Sequence, residues 1–349
     1  MKIIANVPVR NEAWILRTVL EALQVLVDVI VVADQQSCDG TAKICAQFPK
    51  VVRLVNSQST FDEQAMRQLL LDASRDWNGQ NLILTVDADE VFTADILDKE
   101  LFNQLVDGTP VGSAAALRWV WLWKDPAHYR VDGPRFAENW KYCAFRDDRR
   151  LTFEPGLIHR PRVPGEAARR EVRFERPRML HYQFAHWERA LAKQRWYRCF
   201  ERLAYPSKPS EAINVMYAWF LGGWTPPRLR EVPDAWLQRW RDFNVEPGAF
   251  VRESFFWYEV EVLRLFGERG VEPFADLDIW DVDWEERRQA AIHAGYLDMP
   301  ARPIHDPRSA EQRVAQIFTR RTLHVPPWRS VTRLTSSLNA RLRSSPGGS

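Results

Sequence analysis

The chain has 349 residues, 46% of them hydrophobic and 27% charged, with a formal net charge of only +2. That length supports a sizeable core in one extended domain or two modest ones, and so small a net charge provides no global field for nucleic acid. The four cysteines, Cys38, Cys45, Cys143 and Cys199, have no close paired spacing, which argues against a zinc knuckle or disulfide framework and suits a reducing compartment.

The start, MKIIANVPVRNEAW, lacks a basic segment followed by a long apolar stretch and a small-residue cleavage site. No apolar run reaches membrane-spanning length; the best, around residues 25–33, contains Asp28. A cytoplasmic location is expected. IIANVPV reads as a buried strand, 11–26 as an amphipathic helix and VDVIVVA as a second strand. Asp39-Gly40-Thr41 signals a turn, with Asp39 as N-cap of a helix running to Phe48. A third strand at 51–55, a helix at 61–74 and a fourth strand at 81–86 follow. Strands alternating with helices predict an α/β fold with a mainly parallel sheet covered on both faces. In such sheets ligands bind beyond the carboxyl ends of the strands, here after Val7, Ala33 and Val86.

Farther on, SAAALRWVWLW and RPRMLHYQF read as strands separated by Pro- and Arg-rich loops. Helices are expected at 188–203, 211–220 and 250–269. The 16 tryptophans, concentrated after residue 118, are expected mainly to pack. Residues 329–349 carry four arginines and no acid; a flexible tail is expected, with a short basic helix on anionic lipid as the alternative. Residues 1–100 contain 9 basic and 15 acidic residues, whereas 141–198 contain 15 and 7. The second segment suits a phosphate-bearing ligand or a solvated surface.

The sharpest local signal is LTVDADE. Asp87 and Asp89 alternate on an extended chain, so both can face one site. Two carboxylates there repel unless a cation or donors lie between them, and Mg²⁺ or Mn²⁺ commonly bridges such oxygens to substrate phosphates. The plainer alternative is an acidic turn closing a strand. Asp34 ends the second strand in VVADQQSCDGT and can meet a ribose hydroxyl or a base N–H, or simply hydrogen-bond its own loop. Glu12 can reach the nucleotide or favour a helix N-terminus. The first loop, PVRNEAW, has no glycine, which excludes a dinucleotide fingerprint and a P-loop there.

In this order NVPVRNEAWILRTVLEAL, VIVVADQQSCDGT, FDEQAMRQLLLDA, LILTVDADEVF, LIHRPRV and RPRMLHYQFAHWERALAKQRWY resemble a family-2 glycosyltransferase with the GT-A fold. The resemblance covers about residues 1–200, and it is greatest to the bacterial branch that builds lipopolysaccharide cores and other surface glycans. It implies a nucleoside-diphosphate sugar as donor, a glycan or glycolipid acceptor, and Mg²⁺ or Mn²⁺. Pro8, Glu12, Asp34, Arg67, Asp87, Ala88 and Asp89 match positions around the nucleotide sugar. Asp87 resembles the first Asp of the DXD motif, and Asp89 resembles the direct metal ligand. His181 resembles a further metal or diphosphate contact, with His186 the near-miss for that role.

Inverting transfer also needs a base for the acceptor hydroxyl. The related branch often has His-Glu where this chain reads His159-Arg160, and arginine cannot be that base. Glu154 and His159 are the substitutes, Glu154 preferred. Gln35 and Gln36 stand where small residues are usual and can touch the base. Arg173, Arg176, Arg178, Lys193 and Arg195 are available to anionic groups, although most are expected at the surface.

The expected domains are a GT-A catalytic domain at 1–205, a helical extension at 206–328 and a basic tail at 329–349. Within the first, 1–110 would hold the nucleotide and 110–205 the acceptor. The Trp-rich helical extension would shape the acceptor cleft or a contact between copies of the chain. Peripheral contact with the inner membrane face is the expectation attached to the tail. The rival activities are a nucleotide-sugar hydrolase, a nucleotidyltransferase and a catalytically inactive glycan-binding protein on the same fold.

Overall fold

The computed structural model describes residues 1–57, 62–156, 160–218, 220, 221, 226–253, 255–310, 312–314 and 316. Contacts group them into two compact units, one of Met1–Trp187 with Arg228–Arg252, the other of Glu188–Pro227 with Glu253–Ser349.

The first unit opens with β1 (Ile3–Val9), α1 (Leu16–Leu26), β2 (Val29–Asp34), α2 (Thr41–Cys45) and β3 (Val51–Val55). Then come α3 (Glu63–Ser74), β4 (Leu82–Thr85), β5 (Glu90–Phe92) and α4 (Lys99–Asp107). It continues with β6 (Ala114–Trp121), β7 (His128–Arg130), α5 (Pro134–Ala137), β8 (Trp140–Arg146), α6 (Gly165–Ala168) and β9 (Glu171–His181). The α/β class and the helix-flanked, mostly parallel sheet are as the alternation predicts. One eight-stranded sheet runs β3-β2-β1-β4-β8-β6-β9-β5. β1, β2, β3 and β4 are parallel, and so is the β6–β9 pair, whereas β8 and β5 run antiparallel to their neighbours.

The apolar runs of β2 and β4 are buried along almost their whole length, as a sheet covered on both faces requires. α1 buries Leu16, Val19, Leu20 and Leu23, the stripe its apolar spacing prescribes. It starts five residues later than its pattern suggests. Asn11 takes a left-handed φ of 53°, its amide donates to Ser37 Oγ, and its Oδ1 accepts from the Cys38 amide. Asn tolerates that conformation better than most residues, so a glycine-free loop can still turn sharply here. The carboxylate of Asp39 accepts from the amides of Thr41 and Ala13, so it ties two loops together; the N-cap itself is Gly40. At α3 the side chain of Asp62 accepts from the amides of Gln64 and Ala65, a cap of the ordinary kind.

β4 and β5 are joined by only Val86, Asp87, Ala88 and Asp89, yet β8, β6 and β9 lie between them in the sheet order. The sheet therefore curls so that its β5 edge returns to the interior strand β4, and the carboxylates lie in the short link between the two.

The second unit contains all of α7 (Trp187–Ala204) but its first residue, and α8 (Ser210–Met216), α9 (Trp257–Arg269) and α10 (Trp284–His293). The strand β10 (Leu229–Glu231), between α8 and α9 in sequence, instead pairs with β7 in the first unit. Trp196, Trp280 and Trp284 are buried in the second unit, consistent with packing. Arg195, expected among surface or anion-binding charges, is buried and holds Asp281 through Nε and Nη2 at 2.8 and 2.9 Å. The tail 329–349 lies outside the described residues. No described helix is long and apolar enough to cross a membrane.

Candidate active site

Register explains how distant segments meet. Val9 pairs with Asp34 and Asn6 with Thr85, so the carboxyl ends of β1, β2 and β4 lie together. At the other end of the curl, His181 is opposite Glu90 in β5 and opposite Trp121 in β6.

Asp87 is partly exposed, whereas Asp89 and Glu90 are buried. Asp87 Oδ1 accepts from Arg67 Nη2 at 3.3 Å, and its Oδ2 is 2.5 Å from Arg162 Nη2. Arg162 also grips Glu90 with both terminal nitrogens, at 2.9 Å to Oε1 and 2.8 Å to Oε2. Trp119 Nε1 donates to Glu90 Oε1 at 2.8 Å, and the Asp87 amide donates to Glu90 Oε2 at 3.0 Å. Glu90 is thereby the hub that fixes both the DAD backbone and the guanidinium above it. Burial would raise the Asp87 carboxyl, but the charges of Arg162 and Arg67 outweigh it and hold the group far below the usual carboxylate range. Burial likewise opposes the charge on Arg162, and the carboxylates of Asp87 and Glu90 more than restore it.

Asp89 faces His181, with Oδ1 3.4 Å from Nε2. The His181 ring stacks on Trp119 at 4.2 Å between centroids and meets Trp121 edge-on at 4.9 Å. Its buried Nδ1 has no hydrogen-bond partner among the described residues. No three His, Cys, Asp or Glu side chains converge there among those residues. Asp89 and His181 set a carboxylate oxygen beside an imidazole nitrogen, donors that could serve a divalent cation if substrate oxygens and water completed its coordination.

Lys141, on β8, has its ammonium 4.6 Å from the centroid of the Trp119 ring, and the residue is exposed. Loss of hydration among its neighbours is the largest cause of a pKa below the ordinary lysine value. The charge of Arg162 adds to it, and Asp87 and Glu90 oppose it.

The other sequence candidates are distributed as follows. Asp34 is fully buried; Oδ2 accepts from Arg53 Nε at 2.8 Å and Oδ1 from the Ser37 amide at 2.9 Å. Pro8 is paired with Ala33 on the neighbouring strand, and Ala88 is buried between the two aspartates. Glu12 accepts from Trp14 Nε1 at 2.6 Å. His186 packs edge-on against Trp14, apart from the Asp89–His181 pair. Glu154 is exposed, its carboxylate close to Gly165 at the start of α6. His159 lies outside the described residues.

Arg173 pairs with Glu171, Arg176 with Asp95, and Arg178 lies over the Trp236 ring. The cation that clamps the carboxylates is instead Arg162, in the RPRV stretch, which composition alone does not distinguish from its many neighbours. Lys141 likewise carries no distinguishing signal in the sequence. The signal for Arg162 is its place between Pro161 and buried Val163, where an arginine must bring its own counter-charge.

Residues 5–152 match the sequence profile of glycosyl transferase family 2. The match covers less than half of the chain and supports a family-2 glycosyltransferase-like domain there. The curled, mostly parallel sheet flanked by helices is the GT-A-like arrangement expected for it. Among solved structures, a mycobacterial protein is 19% identical over 35% of this chain and 41% of its own, with a TM-score of 0.25. A 4-diphosphocytidyl-2C-methyl-D-erythritol synthase is 17% identical over 42% of this chain and 73% of its own, with a TM-score of 0.28. A mannose-1-phosphate geranyltransferase from Thermus thermophilus is 12% identical over 41% and 49%, with a TM-score of 0.26. The chain spans less than half the length of the mycobacterial protein. No protein of curated function matches the chain.

Proposed function

We propose that the glycosyltransferase-like domain moves a sugar, with inversion, from a nucleoside-diphosphate sugar to a hydroxyl acceptor in bacterial surface-glycan or lipopolysaccharide assembly. The observation that carries this reading is the DAD segment at the seam of the curled sheet. There one carboxylate is neutralised by two guanidinium groups and the other is turned toward a histidine. Such an arrangement separates the two aspartates by role. Asp87, held ionised by the two guanidinium groups, is an acceptor suited to ribose hydroxyls, while Asp89 with His181 would hold Mg²⁺ or Mn²⁺. The chemistry such an ion supplies when bound is neutralisation of charge on the departing nucleoside diphosphate.

Pro8, Glu12 and Asp34 lie at the ends of β1 and β2, on the side where the base and ribose would enter. Arg67 orients Asp87 from α3, and Ala88 leaves room beside the backbone. Glu154 and His159 are proposed as candidate bases for the acceptor hydroxyl, Glu154 first, because an exposed carboxylate can accept that proton directly. The cytoplasmic site at the inner membrane face and any association between copies belong to the same proposal.

The test is turnover. A panel of nucleotide sugars is incubated with bacterial glycan acceptors, and released nucleoside diphosphate and product anomer are measured. Acceptor-dependent release with inversion, abolished by Asp89→Ala, supports the reading. No release from any donor, or release unchanged by that substitution, removes it; fast release without acceptor points to a hydrolase.

A further inference from the structure

Around the DAD segment, carboxylates and cations can be matched one by one. Asp87 is met by Arg67 and Arg162, and Glu90 is met by Arg162, Trp119 Nε1 and a backbone amide. Both guanidinium groups are therefore committed to protein carboxylates. Lys141 is not. Its ammonium lies over the Trp119 ring and interacts electrostatically with Asp87, Glu90, Arg67 and Arg162, but no described carboxylate lies within ion-pair distance of it.

Its location follows from the pairing of β8 with β6. Lys141 pairs with Leu117 just before the bulge at Cys143, and the electrostatic neighbours of both Lys141 and buried Cys143 include Arg162 and Glu90. Trp119 links the groups physically, because its ring carries Lys141 while its Nε1 holds Glu90. A lysine head kept over an aromatic ring, exposed and without a counter-ion, beside two fixed guanidinium groups, is a cation awaiting an anion from outside.

We propose that Lys141 binds the diphosphate of the donor directly, as a protein-borne cation that contacts the leaving group whether or not a metal is present. The inference rests on the proposed transferase reading and deepens it. The guanidinium groups keep Asp87 from repelling the phosphates, while the ammonium, on a flexible stem, can follow the oxygens as charge grows on them. No covalent step is assigned to Lys141; its contribution is electrostatic.

The test is calorimetric binding of UDP, GDP, CDP, ADP, dTDP, their nucleosides and inorganic pyrophosphate, in EDTA and in Mn²⁺, to wild type, Lys141→Met and Lys141→Arg. Methionine retains length and apolar cover over Trp119, and thermal melts identify any variant that fails to fold. For the nucleotide that binds wild type, Lys141→Met should weaken the diphosphate roughly ten- to a hundredfold in both buffers. The nucleoside should be unaffected, and Lys141→Arg should recover much of the loss. Diphosphate affinity unchanged in Lys141→Met, or an equal loss for the nucleoside, overturns the inference. If wild type binds no nucleotide, the transferase reading fails, and pyrophosphate then decides the anion site. Weaker pyrophosphate binding in Lys141→Met supports it, and no pyrophosphate binding to wild type overturns it.

Discussion

Replacing Arg162 with methionine should cost the first unit more stability than any other single change at the site. The substitution removes both hydrogen bonds to Glu90 and the contact with Asp87, while Glu90 remains almost wholly buried. Trp119 Nε1 and the Asp87 amide would still donate to it, so the carboxylate loses its counter-charge but not all its donors. Breaking a buried pair on one side typically costs about 3–5 kcal/mol. Asp87 adds less, because Arg67 remains beside it. Two compact units need not unfold together, so a single melting temperature is a poor readout. Amide hydrogen exchange in β5 and β9 reports this unit directly, and protection there should fall by roughly two to four orders of magnitude. Adding Glu90→Gln should restore part of it, because the uncompensated charge is then gone. A loss below about tenfold, or strict additivity in the double variant, would refute the clamp.

Other outcomes follow from the same groups. The folded pKa of Asp87 is lowered, so its pairing stabilises the fold above the ordinary carboxylate pKa of about 4 and that contribution is lost as pH falls through the folded value. Exchange protection measured from pH 5 downward should therefore fall less steeply in Asp87→Asn than in wild type; parallel profiles would contradict this. Lys141 titrates below an ordinary lysine, so diphosphate affinity should decline on the alkaline side before pH about 10.4, and Lys141→Arg should extend the plateau. At Asn11, glycine keeps the left-handed turn but loses the bond to the Cys38 amide, at about 1 kcal/mol. Alanine loses both and should cost roughly 2–3 kcal/mol by chemical denaturation; equal costs would mean that the backbone conformation is unimportant.

The parallel half of the sheet was legible because its strands are short apolar runs ending in Asp34 and in the DAD segment, a pattern helices do not produce at that length. Helix starts were less so. The pattern at 11–26 overruns into a turn fixed by Asn11 and Ser37, which are distant in sequence. The pattern at 250–269 begins early because Phe250 is apolar for a different reason: it packs on the Trp14 ring, and α9 starts only at Trp257. Likewise Asp87 and Asp89 stand out by spacing, whereas Trp119 and Arg162, which fix the adjoining Glu90, come from 29 and 72 residues away and announce nothing locally. A buried arginine reads like an exposed one until its counter-charge is located, and β-strand pairing, not residue type, supplies that location. His181 could be named from its motif, but its place between Glu90 and Trp121 depends on the register of β9.

The central claim is that the DAD seam is a nucleotide site, and the most direct test is calorimetric titration with UDP, GDP, CDP and dTDP, with and without Mn²⁺ or Mg²⁺, on wild type and Asp89→Ala. Preferential binding of one nucleotide is expected, strengthened by the metal, with that strengthening lost in Asp89→Ala. Absence of binding under every condition, or binding indifferent to both metal and substitution, would contradict it.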